Sequence, residues 1–389
     1  MPYQKNIWKM KIYSFLREFY LFAGILVPFY TEWGNINFFQ VAILQSIFVI
    51  SVFLFEIPTG AFADKLGRKK SLFLASLTGT IAIAFYTISP KFYLFIIAEI
   101  IWGLSVALLS GAQDSIVYDS LKATKTEKNS QKIFGQFRSY HILAIGIAAP
   151  IGSYLVPHIG LRMIMLLSAI GPFIAMLVAL TLKEPEIIRE KKNYFLIIKK
   201  GLNIFKQNKI IQILTFDRAS SITFVMIMFI AYQHALSDMN ISIQNYGWVH
   251  ALIVLMQFIV LNSFTFFNNV FKSKKRMIFY FALIPAIAYI GMGIIDSIII
   301  WIILLTFAQG FGYPRDVLFV NYLNKHIESE ERATVLSIIS MIKSLIFAIV
   351  YLIAGYFMEI NWKFTLIAFG SIMLISQIIS KVEEEHLLD

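Results

Sequence analysis

Twelve stretches of this chain are apolar and nearly free of charge, and that pattern leaves few ways for it to fold. In chain order, as spans 1 to 12, they are residues 12–30, 33–55, 71–90, 92–121, 139–161, 163–182, 219–237, 239–271, 277–295, 297–314, 333–357 and 364–380. Spans 1, 4 and 11 are interrupted by charge; the others hold no Asp, Glu, Lys or Arg. A helix rises ~1.5 Å per residue and a bilayer core is about 30 Å thick, so about 20 apolar residues cross it. Each stretch is long enough or nearly so. Hydrophobic residues make up 58% of the chain, mean hydropathy is +0.72, and charged residues fall to 15%, against about 25% in soluble domains. A water-soluble globule has no way to hide that much apolar surface. Soluble enzymes, nucleic-acid modules and disordered tails are thereby excluded. The expected fold class is an all-α membrane protein of twelve transmembrane helices.

The net charge of +11 could suggest a polyanionic partner, but its distribution gives a different reason. With the N-terminus placed in the cytoplasm, 26 of the 34 Lys and Arg residues fall in inside segments. Three (Lys91, Arg162 and Lys363) fall outside, and five lie within the expected helices, in the spans or at their edges. This is the positive-inside bias of a multi-pass protein with both termini cytoplasmic, and no nucleic-acid partner is needed. The basic N-terminus is followed by no small-residue cleavage site, so no removable signal peptide is expected. There is no cysteine, hence no disulfide framework and no thiolate metal site. No His or carboxylate cluster has metal-ligand spacing, and no Gly-rich phosphate loop occurs. No metal, cofactor or ATP-driven step is expected, and no nucleophile–base pattern points to an enzyme.

The chain divides evenly. Residues 1–182 hold six spans, residues 210–389 hold six more, and 183–209 form the longest polar stretch. In that linker Phe195, Ile198, Leu202 and Phe205 recur at helical spacing beside Lys199, Lys200 and Lys206, the pattern of an amphipathic helix on the inner leaflet. A shift of 202 residues places Asp114 on Asp316, Asp119 on Asn321 and Leu121 on Leu323. Two pseudo-symmetric six-helix bundles would give such an echo.

Between spans 2 and 3 stands Gly60-Ala61-Phe62-Ala63-Asp64-Lys65-Leu66-Gly67-Arg68-Lys69-Lys70. It resembles the signature loop of the major facilitator superfamily, G-x-x-x-D-x-x-G-R-[RK]-[RK], at every fixed position and in the same loop. With twelve spans and a central linker the resemblance covers the whole chain. It implies two six-helix bundles that work by alternating access, and a loop that latches them. Gly60, Asp64, Gly67 and Arg68 are then gating residues, Gly60 allowing close helix approach and Gly67 a tight turn. The corresponding loop between spans 8 and 9, residues 269–276, keeps the basic run without the Gly and Asp.

Two further family patterns are altered. Proton-coupled members carry R-x-x-Q-G in span 4; here the residues are Glu99-Ile100-Ile101-Trp102-Gly103. Drug–proton antiporters carry G-P-x-x-G-G in span 5; here only Ala149-Pro150-Ile151-Gly152-Ser153 remains. Glu56-Ile57-Pro58-Thr59-Gly60, Ser110-Gly111-Ala112 and Tyr118-Asp119-Ser120-Leu121 look like a prokaryotic subgroup labelled drug-efflux or uncharacterised transporters.

A charge inside the bilayer costs at least ~2.5–3.5 kcal/mol on insertion scales, so it faces a partner or a watery cavity. The resemblance places spans 1, 4, 7 and 10 around the central cavity, and these spans or the residues directly adjoining them supply Arg17, Glu18, Glu99, Asp114, Asp217, Arg218, Arg315 and Asp316. Glu56, Glu99 and Asp114 are the candidate proton carriers, because an acid in a low-dielectric cavity can load and release a proton during the cycle. Glu18, Trp102, Arg138, Arg218, Gln257, Arg315, Asp316 and Lys343 are the candidate cavity and substrate residues. Tyr140, Tyr232, Gln233, Gln309 and Tyr313 are further polar lining candidates, and His234 and His250 are expected at the outer interface. Matching depth in neighbouring spans predicts two ion pairs, Asp114 with Arg138 and Asp316 with Lys343.

These readings converge on a secondary transporter in the plasma membrane, acting as a monomer on a small-molecule substrate and coupled to an ion, the proton first. Efflux of amphipathic organic compounds is the leading reading. Transport of a polar or anionic metabolite, favoured by Arg138, Arg218, Arg315 and Lys343, is the alternative. A non-transporting membrane sensor is a third. It would call for an appended signalling domain, where this chain has 11 residues before span 1 and about nine after span 12.

Overall fold

The computed structural model describes residues 2–126, 130–184, 194–328 and 331–388, and every regular element within them is helical. Nine helical segments among the described residues are long and apolar enough to cross a membrane. They are Phe38–Leu66, Phe92–Ala123, Ile133–Ile159, Leu161–Leu180, Lys209–Asp238, Ile243–Asn262, Lys274–Ile294, Ile298–Lys325 and Thr334–Ile378. The first eight carry spans 2, 4, 5, 6, 7, 8, 9 and 10. The ninth holds both spans 11 and 12, because Asn361 leaves helical geometry at φ −160°, ψ 96°. Its side-chain oxygen accepts from the Phe364 amide at 2.9 Å and caps the start of span 12. Arg68–Tyr86 supplies span 3, and Pro2–Arg17 begins span 1. The fold is the expected all-α, twelve-span membrane architecture.

Spans 1 and 4 are discontinuous where an unbroken helix was expected. Span 1 stops at Arg17 and continues as a tight turn at Leu21–Gly24, Leu26–Pro28 and a widened turn at Phe29–Trp33. Span 4 is Phe92–Leu109 followed by Ala112–Ala123, broken at Ser110–Gly111. Gly111 takes φ +61°, a left-handed value open to glycine at no steric cost. Each break puts a polar side chain close by, Arg17 in span 1 and Asp114 in the first turn after Gly111.

The chain forms two compact units. One is Met1–Lys192 with Ile241–Ala251, the other Asn193–Asn240 with Leu252–Asp389. The core of the first includes Met10, Tyr13, Leu72, Ile116, Leu121 and Ala175. The core of the second includes Leu214, Phe281, Phe319 and Val335, and also Val382 and Leu387 from beyond span 12. The linker carries a helix, Tyr194–Gln207. Phe205 is buried in the second core, Leu202 is exposed, and Lys200 reaches Glu331 at 2.9 Å. A Cβ on Gly201 would lie 2.8 Å from the side chains of Thr334 and Ile338. One face of this helix is thus seated on span 11. The side chains of Phe195 and Ile198 lie outside the described residues.

Candidate functional site

The signature loop is held together by groups the motif alone does not name. Gly67 stands between spans 2 and 3 at φ +108°, ψ 149°, a conformation nearly restricted to glycine. A Cβ there would also lie 3.1–3.3 Å from the Glu184 carboxylate. Glu184 follows span 6, and its two oxygens accept from the amides of Arg68 and Lys69, both at 2.7 Å. An acid at a helix N-terminus satisfies the first free N–H groups and meets the positive end of the dipole. Arg68 points the other way. Its guanidinium pairs with Asp119 and donates to the Ser115 carbonyl at 3.2 Å, so the loop is pinned to the second half of span 4. Asp64 is exposed. Among the described residues Gly60 is not at a close approach, since a Cβ added to it meets nothing within 4 Å.

The second unit repeats this cap with a different residue at the turn. Ser273 stands where Gly67 does, and its hydroxyl accepts from the Arg276 amide at 3.2 Å. Glu384, beyond span 12, accepts from the Lys274 amide at 2.7 Å, the Lys275 amide at 2.9 Å and the Ser273 hydroxyl at 2.6 Å. Partial burial pushes the Glu384 carboxyl up. The hydrogen bonds from Ser273, Lys275 and Lys274 and the Lys274 charge outweigh it, and the carboxyl is held below its ordinary value. Sequence reasoning missed both acids. The available signal was their shared place, 200 residues apart and just past the last span of each half.

In the first unit Arg17 of span 1 and Glu99 of span 4 turn into the bundle. Glu99 is 2% exposed. It accepts from the Tyr30 hydroxyl at 2.7 Å and lies 3.5 Å from the Gln45 amide nitrogen. Arg17 is 1% exposed. It donates to the Ser105 hydroxyl at 2.6 Å, and its guanidinium lies 5.0 Å from the ring centre of Trp102 and 5.7 Å from that of Tyr20. Trp102 therefore packs on a buried cation. Glu18 faces His141 at 3.8 Å. Glu56 is partly buried in span 2, and Asp114 is exposed on the first turn of Ala112–Ala123, where the dipole favours an acid. The side chain of Arg138, and with it the expected Asp114–Arg138 pair, lies outside the described residues.

In the second unit two dipeptides of opposite order, Asp217-Arg218 in span 7 and Arg315-Asp316 in span 10, form a crossed clamp. Arg218 donates to both oxygens of Asp316, at 2.6 and 2.9 Å. Arg315 pairs with Asp217, whose other oxygen takes the Ser380 hydroxyl. Arg315 also donates to the Ser221 hydroxyl at 2.5 Å, the Ile278 carbonyl at 2.9 Å and the Gln377 side chain at 3.1 Å. It lies 4.6 Å from the centre of the Phe319 ring. Asp316 thus has Arg218 as a bidentate partner, where equal depth pointed to Lys343. Equal depth along two spans does not make side chains share a face. The Lys343 ammonium lies 5.6 Å from the centre of the Phe347 ring.

Several other polar candidates are buried. Tyr232 and Gln233 are buried, and Gln309 donates to the Val225 carbonyl and the Tyr289 hydroxyl, both at 3.1 Å. Gln257 is buried too, and its amide nitrogen has no hydrogen-bond partner among the described residues. His250 is buried. Among the described residues no group of His and carboxylates could hold a metal ion.

Comparison with known proteins decides the family. The sequence profile of the Major Facilitator Superfamily matches residues 15–233 and 218–385. The chain belongs to the Major Facilitator Superfamily. It is 23% identical over 258 residues to an uncharacterized MFS-type transporter, YxaM, of Bacillus subtilis (strain 168), a match covering 62% of this chain and 61% of that protein. It is 22% identical over 338 residues to an uncharacterized transporter of Buchnera aphidicola subsp. Acyrthosiphon pisum (strain APS), covering 81% of each. Among solved structures it resembles the nucleoside transporter NupG, at 14% identity and a TM-score of 0.75, covering 97% of this chain and 99% of the other. It also resembles a D-xylose–proton symporter, at 14% identity and a TM-score of 0.77, covering 98% of both. At such identity these structures establish the shared fold. The chain is an integral membrane protein of a transporter family, as its loop motif implied.

Proposed function

We propose that this MFS protein exports amphipathic organic solutes by alternating access, driven by the proton gradient. The halves at residues 1–182 and 210–389 would be the moving bodies and 183–209 their linker. The signature loop, with Gly60, Asp64, Gly67 and Arg68, would bias the exchange between states. The protein would act as a monomer in the plasma membrane with both termini in the cytoplasm, in keeping with its basic loops.

The observation that carries the coupling is Glu99. It is a carboxyl enclosed in the first unit, hydrogen-bonded by Tyr30 and close to Gln45, with no cation among its partners in the described residues. An acid held by neutral donors in a low-dielectric site is suited to exchange a proton rather than to anchor a fixed ion pair. The neutralised clamp supports an amphipathic solute over an anionic one. Arg218 and Arg315, two of the cations that favoured an anion, are each committed to an aspartate.

The test uses purified protein in proteoliposomes. A thermal-shift screen of dyes, antibiotics and metabolites first finds a stabilising compound, whose flux is then followed under an imposed pH gradient. Glu99→Gln is expected to retain binding and lose at least ten-fold of pH-driven flux, while Glu56→Gln and Asp114→Asn show whether other acids share the role. Full pH-driven flux in all three variants would take the coupling away from these acids and place it elsewhere in the chain. Stabilisation by organic anions alone would favour the metabolite reading.

A further inference from the structure

At the end of the second unit that carries the basic loops, a groove of about 640 Å³ runs between the start of span 7 and the end of span 12. Pockets for small ligands span about 300–1,000 Å³. One wall is a single face of the Lys209–Asp238 helix, with Lys209 and Phe216 two turns apart; the other is Ile379, Ser380 and Lys381. The clamp does not use these lysines. Asp217 lies at the groove, but its charge is met by Arg315 and its second oxygen by Ser380, so the floor is neutral. Lys209 and Lys381 are exposed, and among the described residues neither has an ion-pair partner. Lys209 also opens its helix, whose N-terminal end adds partial positive charge. The groove therefore carries two uncompensated cations.

The apolar part of the lining narrows the ligand further. Phe216 is 54% exposed and Ile379 69% exposed, one on each wall. A soluble anion gains nothing from two large apolar side chains beside its binding cations. A phospholipid uses both, its headgroup on the lysines and the start of its acyl chains on Phe216 and Ile379. Basic pockets between transmembrane helices are suited to such headgroups.

We propose that this groove binds the headgroup of an anionic phospholipid. The proposal does not rest on the transport reading and stands whether or not that reading holds. The groove spans the two elements that meet at Asp217, so a bound lipid would brace span 12 against span 7.

The full chain, purified and incorporated into nanodiscs of equal phosphatidylglycerol and phosphatidylcholine, is released for native mass spectrometry. Phosphatidylglycerol is expected to remain bound in preference to phosphatidylcholine. Retention should fall roughly five-fold for each of Lys209→Gln and Lys381→Gln, with the double variant at background and its Tm in phosphatidylcholine alone unchanged. A photo-crosslinking phosphatidylglycerol on the unaltered protein is an independent check, with crosslinks expected at residues 209–216 and 376–381. Equal retention by the parent and the double variant, or crosslinks confined to other segments, overturns the proposal. So does inorganic phosphate or glycerol phosphate raising Tm as far as the lipid does, which would mark a site for soluble anions.

Discussion

At the residue scale, the two motif glycines separate a structural from a functional requirement. Gly67 has a backbone that other residues reach only at a cost of about 1–3 kcal/mol, and Glu184 fills the space a Cβ would need. Gly67→Ala is expected to lower the unfolding midpoint of the purified protein and weaken the cap on span 3. Gly60 meets open space, so Gly60→Ala should leave the midpoint unchanged or raise it slightly through helix propensity. If transport nevertheless falls in Gly60→Ala, the residue acts in a conformational step rather than in packing. A lowered midpoint in Gly60→Ala would refute this division. The motif was legible in the sequence, but its Glu184 partner was not, because 117 residues separate the two and only the return of span 6 brings them together.

At the scale of elements, opposed charges and capping acids fasten one helix to another. The crossed clamp is the tightest such fastening between spans 7 and 10. Removing one member strands a buried charge, at a cost of about 3–5 kcal/mol. Arg218→Leu should therefore destabilise the protein by roughly that amount, while Arg218→Leu with Asp316→Leu should cost less than the single change. Chemical unfolding in micelles measures both; a double variant worse than the single would mean that the pair contributes more than mutual neutralisation. The cap on span 9 gives a pH test. The folded Glu384 carboxyl is held below its ordinary value of 4.5, so its contribution is fully present above that value and is lost as pH falls through the folded value. Hydrogen exchange at residues 382–388 should be constant above about pH 5 and speed up below about pH 4.5 relative to the intrinsic rate. Glu384→Gln should show no such step, and a step surviving in that variant would assign it to another group.

At the scale of the whole molecule, Asp64 tests the gate. It is exposed and lies outside the apolar spans, so it contributes little to insertion but can bias an equilibrium between states. Asp64→Asn should express and unfold like the parent and turn over substrate several-fold more slowly. Normal turnover, or lost expression, would end the gating assignment. Class, span number and family follow from local information. Hydrocarbon thickness sets the span length, the cost of burying charge sets where spans end, and the loop motif is contiguous. The helical spacing of the linker's apolar and basic residues is local in the same way, and a helix stands at Tyr194–Gln207. What local pattern could not convey is which face of a helix each charge occupies and which distant element meets it. Depth along spans 10 and 11 suggested Asp316 with Lys343, yet Asp316 meets Arg218 from span 7. The breaks after Arg17 and at Gly111 fall inside stretches that the sequence reads as single spans. A span's position depends on the transfer energy of its own residues, whereas an ion pair depends on the rotation and packing of two helices, which only the assembled tertiary structure decides.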